Sequence, residues 1–256
     1  MGKTSQSQAR FVISPSLRSD LAPTGTLRVG INHGNPVLAT RDPSSGDLRG
    51  VAVDLAGELS RRVGVPVELV GFESAGKMVE GLKAGAWDVA FLAVDPVRAG
   101  EIDFTAPYIE IEGAYLVPAG SPIRAIAEVD REGVRIGVST NSAYDLFLKR
   151  NLQHAQLVHA PSPEASLGLF GTDKIDVLAG VRQPLVAHAA KVPGARVLDG
   201  RFMAIHQALG VVKGRGAAVT YLREFIEDVK ASGFVAQAIE KAGIRGVSVA
   251  PRAPVQ

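Results

Sequence analysis

Apolar and polar positions along the chain form two alternating kinds of segment. Short β-branched runs, such as Leu27–Ile31 and the apolar run 87–94, predict buried strands. Between them, residues 51–63 place apolar side chains at helical spacing, and Gly64 follows as a stop signal. Because strands and helices take turns, the first half of the chain predicts βαβ units and a largely parallel sheet.

The alternation then starts again in the second half of the chain. Residues 134–140 predict a strand, and Asn141 or Ser142 is a suitable cap for the helix that follows it. Two helical segments, 217–233 and 234–243, close the chain. The pattern therefore predicts an α/β protein with two units in series and C-terminal helices.

Composition narrows the class of protein. The chain has 256 residues, of which 46% are hydrophobic and 21% are charged, as is usual for a globular protein. This length allows one large domain or two modest ones. The net charge is only +2, without a long basic run, and aromatic residues make up 5%. These features argue against a nucleic-acid partner.

Cysteine and histidine usage bears on metal sites and cofactors. The chain has no cysteine, which excludes disulfides, thiolate metal ligands and a cysteine nucleophile. The five histidines show no spacing typical of zinc ligands. No dinucleotide or phosphate-binding fingerprint is present either. We therefore expect no cofactor.

The first segment, residues 1–24, is mainly polar. It lacks the apolar core of seven or more residues that a secretory signal needs. A polar segment buries too little surface to offset the entropy of ordering. We therefore predict a flexible N-terminal tail that does not join the core.

One charged segment follows the apolar run 87–94. Asp95 and Arg98 come directly after it, although an unpaired charge at the edge of a core is costly. Two interpretations remain open. Arg98 is either solvated at the strand's end, pairing with Glu101 or Asp103, or it binds an anion.

The order of several segments resembles a known family. These segments include "GTLRVGIN", "GVAVDLAGELSRRVGV", "LKAGAWDVAFLAVDPVRAGEIDFTAPY", "GVRIGVST" and "DKIDVLAG", and the resemblance covers about residues 25–244. Together they resemble the type II periplasmic solute-binding proteins, in the polar amino-acid branch that serves ABC importers.

The resemblance implies a fold with two α/β lobes and a ligand cleft between them. Lobe one would comprise residues 25–116 plus 211–256, and lobe two residues 117–210. Two crossing hinge strands would lie near 114–118 and 208–212, followed by C-terminal helices. Such lobes close around a ligand by hinge motion.

The resemblance also implies a ligand site. Arg98 stands at the position that holds the ligand's carboxylate in the family, and a guanidinium suits that role. Asn141 and Ser142 stand at the start of a helix whose amides and hydroxyls favour an anion. Val181 occupies the position of the family's ammonium-binding aspartate, so we expect free amino acids to bind weakly.

Other positions also depart from the family. Asn35 and Ala75 replace its two aromatic walls. Asp95 either caps the turn and balances Arg98, or receives a donor group of the ligand. His33, Asn35 and Lys77 are candidates for lining the cleft from loops of lobe one.

The function that these observations favour is a solute-binding protein of an ABC transporter. It would bind a small carboxylate-bearing or polar, amino-acid-like solute and deliver it to a permease, acting as a monomer in the periplasm. One alternative is an enzyme resembling cyclohexadienyl dehydratases, with Asp95, Glu110 or Glu112 as its acid. Another is a cytoplasmic ligand-sensing module. A LysR-type effector domain would need a preceding helix-turn-helix, for which the first segment is too short.

Overall fold

The structure is a computed structural model, and it describes residues 13–254. The helices are α1 (Pro15–Leu21), α2 (Val51–Val63), α3 (Ala75–Lys83), α4 (Ala143–Asn151), α5 (Pro163–Leu167), α6 (Arg182–Ala189), α7 (Gly216–Ala231) and α8 (Phe234–Lys241). The strands are β1 (Leu27–Asn32), β2 (Thr40–Arg41), β3 (Leu48–Arg49), β4 (Val67–Phe72), β5 (Val89–Ala93), β6 (Ile102–Phe104), β7 (Ile109–Val117), β8 (Arg135–Ser139), β9 (Gln156–Ala160), β10 (Val177–Val181), β11 (Arg196–Val197), β12 (Met203–Val212) and β13 (Ser248–Val249).

One continuous mixed sheet runs through the molecule. Its main strand order is β4-β1-β5-β12-β7-β10-β8-β9, and β1 pairs in parallel with β4 and β5. At the other end, β8 pairs in parallel with β9 and β10. We call the β4-β1-β5 half, with its helices, the first lobe, and the β10-β8-β9 half the second lobe. The two parallel halves confirm the predicted α/β fold class.

Two long antiparallel strands join the lobes. Strands β7 and β12 pair with one another over residues 109–113 and 203–207. Beyond that stretch, β7 pairs with β10 of the second lobe and β12 pairs with β5 of the first. The mutual pairing lies a few residues before the hinge segments predicted from the sequence, and the cleft opens beside it.

Local capping explains where several helices begin and end. Ser142 caps α4, because its hydroxyl accepts a hydrogen bond from the Asp145 backbone amide. Gly64 ends α2 in the left-handed region, with φ of 67°, where a residue without Cβ costs little. Both features follow from the sequence pattern described above.

The N-terminal segment differs from its prediction. Residues 15–21 form α1, and Leu17 and Leu21 are buried in the core. The Asp20 carboxylate accepts hydrogen bonds from the Ala217 and Ala218 amides at the start of α7. The prediction of a loose tail is therefore wrong for residues 13–24, because two leucines four residues apart suffice to dock one helix. Residues 1–12 lie outside the described part of the chain.

No helix within residues 13–254 is both long and apolar enough to span a membrane.

Candidate functional site

A cavity of about 60 Å³ lies between the lobes, beside the crossing strands. Both lobes and β12 contribute to its wall. Its polar lining residues are Asn32, Asn35, Arg98, Ser139, Ser142, Tyr144, Ser166 and Gln207. Its larger apolar lining residues are Phe91, Leu92, Leu167, Leu178, Val181, Leu185 and Ile205. Arg98 is the one charged residue among the described residues that line this cavity.

Arg98 is a buried cation at this wall. It lies in a 3-10 turn after β5 and is only 4% exposed. Its Nη1 donates to the Ala93 carbonyl and its Nη2 to the Asn141 carbonyl, while Nε has no hydrogen-bond partner among the residues that the structure describes. This burial disagrees with the alternative of a solvated arginine at a strand end.

Within residues 13–254, no carboxylate is in direct contact with the charge of Arg98. Burial lowers the pKa of Arg98 to about 10, and the nearby charge of Asp95 partly opposes that shift. The guanidinium still carries its proton at neutral pH. A buried charge without a partner is strongly unfavourable, so the arrangement suits an anion that enters the cavity.

Asp95 uses both carboxylate oxygens elsewhere. One oxygen accepts from the Val97 amide, and the other accepts from Arg150 Nη2 at 2.8 Å. Asp95 is 3% exposed and does not line the cavity. It therefore caps the turn, as one alternative predicted, and it pairs across the cleft with α4.

The start of α4 faces Arg98 from the second lobe. Asn141 adopts a left-handed conformation, with φ of 57°, which asparagine tolerates better than most residues. The Asn141 amide donates to the buried carboxylate of Asp145, which also contacts His159 at 2.8 Å. These contacts hold the Asn141 carbonyl on Arg98, while the side chain of Ser142 lines the cavity.

The remaining predicted residues divide into two groups. Asn35 and Val181 line the cavity. His33 is half-buried and Lys77 is exposed, and neither lines it. Burial lowers the pKa of His33, with Arg41 adding to the shift, so His33 brings no charge to this region near neutral pH.

The structure thus brings together four of the eight predicted residues and leaves four outside the lining. Those that line the cavity are Asn35, Arg98, Ser142 and Val181, and those outside it are His33, Lys77, Asp95 and Asn141. Their contacts with a ligand stay predictions.

Sequence reasoning missed five polar lining residues, which are Asn32, Ser139, Tyr144, Ser166 and Gln207. Gln207 lies on β12 and is 5% exposed, and its Oε1 has no hydrogen-bond partner among residues 13–254. Tyr144 packs against Ser139 and Ser142, and burial raises the pKa of Tyr144 to about 12. The one available signal for Gln207 was its place, after His206, in a strand that is otherwise apolar.

The acidic residues considered for catalysis lie away from the cavity. Glu110 pairs with Arg201, and Glu112 pairs with Arg182, on the crossing strand β7. No aspartate or glutamate is among the described residues that line the cavity. Within residues 13–254, no group of three or more His, Asp or Glu residues could hold a metal ion.

A comparison with known protein families shows to which family this chain belongs. Residues 27–243 match the family of bacterial extracellular solute-binding proteins, family 3. The chain belongs to this family. The resemblance seen in the sequence is thereby confirmed.

Solved structures agree on the fold of this solute-binding protein. The solute receptor for L-cysteine of Neisseria gonorrhoeae is 22% identical, with a TM-score of 0.78 over 93% of this chain and 100% of that one. A putative ABC transporter binding component from Wolinella succinogenes, complexed with lysine, is 22% identical, with a TM-score of 0.73 over 85% and 95%.

A third structure bears on the enzyme alternative. It is an ancestral amino acid-binding protein, described as a precursor of cyclohexadienyl dehydratase, 21% identical with a TM-score of 0.72 over 87% and 97%. At such identities the likeness shows the fold alone, which is the predicted type II periplasmic-binding-protein fold.

Proposed function

We propose that this chain is the ligand-binding component of an ABC importer and that it binds a small carboxylate in the cleft between its lobes. The observation that carries the proposal is Arg98. It is a protonated guanidinium, 4% exposed, at the wall of a cavity, and no carboxylate of the described part of the chain contacts it. A carboxylate of the ligand would supply the missing counter-charge with matching geometry.

The second lobe supports the same group. Ser142 lines the cavity at the N-terminus of α4, a helix of nine residues whose first amides point toward that end. Helix N-termini favour negative charge. Arg98 Nη2 already donates to the Asn141 carbonyl beside the start of α4, so an anion in the cavity would contact the remaining donors of the guanidinium and the start of this helix.

The cavity offers nothing equivalent for an ammonium group. Val181 lies where the family resemblance leads one to expect an acid, and the described lining contains no carboxylate. A buried ammonium without an acid is strongly disfavoured. The proposed ligand is accordingly a carboxylate without a positive charge. Common amino acids are expected to bind weakly, even though the similar structures include a lysine complex.

The dehydratase alternative has less support from the same geometry. Elimination needs an acid or base within reach of the substrate, and Asp95, Glu110 and Glu112 all form ion pairs outside the cavity lining. We therefore place the chain with the binding proteins. Its partner would be a membrane permease, and it would work as a monomer outside the cytoplasmic membrane.

Native mass spectrometry of the purified protein tests the proposal. We expect a co-purified small acid whose complex survives in the native chain and is lost in Arg98→Ala. The control is Arg131→Ala, since Arg131 is an exposed residue that pairs with Glu128 on the surface of the second lobe. A co-purified cation, or an acid retained equally by Arg98→Ala, would contradict this function.

A further inference from the structure

Gln207 lies on the crossing strand β12 and lines the cavity, as Arg98 does. In the pairing of β5 with β12, Gln207 stands opposite Ala93. The carbonyl of Ala93 is the group that accepts from Arg98 Nη1. Gln207 and Arg98 therefore both adjoin Ala93 at the wall of the cavity.

The carboxamide of Gln207 is buried with incomplete hydrogen bonding. The residue is 5% exposed, and its Oε1 has no partner among the described residues. Buried amide oxygens are normally paired, and leaving one unpaired costs free energy. A group of the ligand that donates a hydrogen bond would complete this site. Because the carboxamide is neutral and lies beside a cation, a neutral donor suits it and an ammonium does not.

The wall of the second lobe carries a patch of leucines beside residues with hydroxyl groups. Leu167, Leu178 and Leu185 form the patch, and the last two belong to a buried cluster between β10 and the helices that cover it. The hydroxyl-bearing lining residues of this lobe are Ser139, Ser142, Tyr144 and Ser166. The leucine patch accommodates an aliphatic group. The cavity thus combines a cation, a neutral acceptor and an apolar patch.

We propose that the ligand is an aliphatic 2-hydroxy carboxylate and that Gln207 accepts the hydrogen bond of its hydroxyl. This inference rests on the function proposed above, in which Arg98 holds the carboxylate. A 2-hydroxyl is attached to the carbon next to the carboxylate, and Gln207 and Arg98 both adjoin Ala93 at the cavity wall. The aliphatic remainder then contacts the leucines of the second lobe.

Close analogues satisfy fewer of these features. A 2-amino acid places an ammonium beside Arg98, with no acid in the lining. A 2-oxo acid has no donor for Gln207 Oε1. The acid without any group at carbon 2 leaves that oxygen unpaired, and buried sites discriminate against ligands that leave their polar groups unpaired.

Calorimetric titration of the full chain tests this with two matched series of probes. The first is lactate, alanine, pyruvate and propionate, and the second is 2-hydroxyisovalerate, valine, 2-oxoisovalerate and isovalerate, with both enantiomers of chiral members. Within at least one series, we expect the hydroxy acid to bind about tenfold or more tightly than every other member.

Two variants at one position isolate the role of Gln207. Gln207→Leu keeps the size and removes hydrogen bonding, so we expect the hydroxy acid and its deoxy analogue to bind equally. Binding of the deoxy acid should become tighter, because the variant lacks the oxygen that this acid leaves unpaired, and that binding also shows that the variant is folded. Gln207→Glu adds a negative charge to the cavity wall, and this charge repels the carboxylate of the ligand. We therefore expect the binding of all carboxylates of the series to weaken by about tenfold or more.

The outcomes separate this inference from the proposed function. Carboxylates that bind through Arg98 without preference for the hydroxyl would overturn the inference and leave the proposed function intact. Carboxylate binding that survives Arg98→Ala would overturn both. A preference for the amino acid, a hydroxyl preference that persists in Gln207→Leu, or no binding in either series would overturn the inference.

Discussion

Each lobe contains an arginine–aspartate pair of the same geometry, which we call a clamp. The two clamps differ in how deeply they are buried. In the first lobe, the Arg28 side chain forks onto the Asp88 carboxylate, and the Arg28 amide also donates to it. In the second lobe, Arg135 and Asp176 make the same three contacts. Each clamp fastens the start of a central strand, β1 or β8, to the segment that precedes a later parallel strand.

The surroundings of the two clamps differ sharply. The Asp88 side chain is 0% exposed, and Arg215 adds a second contact to it at 3.3 Å. Both side chains of the Arg135–Asp176 pair are 39% exposed. One local pattern therefore gives a buried network in the first lobe and a surface ion pair in the second. Sequence pattern alone does not reveal which is which.

The lobes also bring different chemistry to the cleft. The first lobe supplies Arg98, the one cation among the described lining residues, and the second supplies the start of α4 and a patch of leucines. The first lobe would therefore set the charge of the ligand and the second its shape. Substitutions in the first lobe should accordingly alter the preference for ligand charge, and substitutions in the second lobe should alter the preference for ligand shape.

The largest expected effect is a loss of unfolding free energy when the aspartate of the buried clamp is removed. Asp88→Ala leaves Arg28 and Arg215 without their buried partner, and breaking a buried pair costs about 3–5 kcal/mol of unfolding free energy. Asp176→Ala should cost far less, because water screens an exposed pair. Denaturant unfolding of both variants measures the difference. Equal losses would show that burial does not distinguish the two clamps.

Arg98→Ala should affect binding more than folding. Truncating one partner of a buried charge pair weakens binding by about 2–5 kcal/mol. Thermal stability should change little, since the variant also removes the desolvation cost of the buried guanidinium. Arg98→Lys should recover only part of the affinity, because an ammonium lacks the planar fork. Calorimetry with the acid identified by native mass spectrometry checks both variants, and full recovery in Arg98→Lys would argue against bidentate binding.

Gly76 lies at a close contact between the two lobes. A Cβ at this position of α3 would lie 2.5 Å from the Thr140 carbonyl oxygen in the second lobe. We expect Gly76→Ala to oppose closure by about 1–3 kcal/mol, the usual range for overpacking. Small-angle scattering should show a larger radius of gyration, and ligand affinity should fall.

Gly57→Ala is the matched control for Gly76→Ala. Gly57 lies in α2 of the first lobe, and a Cβ there would meet no atom within 4 Å. This substitution should leave closure unchanged and stabilise the helix slightly. A similar opening in both variants would contradict the assignment of Gly76 to the closed contact.

Local features were the most predictable from sequence. The Gly64 stop and the Ser142 cap depend on a few neighbouring residues, and the structure confirms both. The docking of α1 was not predictable, because its partner α7 lies about 200 residues away. The same holds for the Asp95–Arg150 contact, whose members come from different lobes.

The residues of the candidate site likewise divide into those that the sequence could predict and those that it could not. Arg98 and Val181 could be proposed because they stand at positions that a family resemblance marks. Gln207 could not, since its place beside Arg98 follows from the register of β12 against β5. Register between distant strands depends on the whole sheet, and a short apolar run with one glutamine does not specify it.

The pH dependence of binding should reflect the cation of the first lobe. Burial lowers the pKa of Arg98 to about 10, so the unliganded protein loses that proton as the pH rises through this value. Affinity for a carboxylate should be constant from about pH 6 to 9 and then fall by up to tenfold per pH unit. Circular dichroism confirms folding at each pH. A loss of affinity between pH 6 and 8 would instead point to a histidine.

The smallest effect is expected at the ion pair between the lobes. Arg150 on α4 reaches Asp95 at 2.8 Å, and its side chain is 37% exposed. Exposed pairs contribute about 0.2–1 kcal/mol, so Arg150→Gln should weaken ligand binding by about fivefold at most. The effect should shrink at high salt, since the pair is screened. The matched control is Arg131→Gln. Arg131 and its partner Glu128 both belong to the second lobe, so this substitution should not affect closure. A fall in affinity of a hundredfold in Arg150→Gln would show that Arg150 contacts the ligand itself and does not merely join the two lobes.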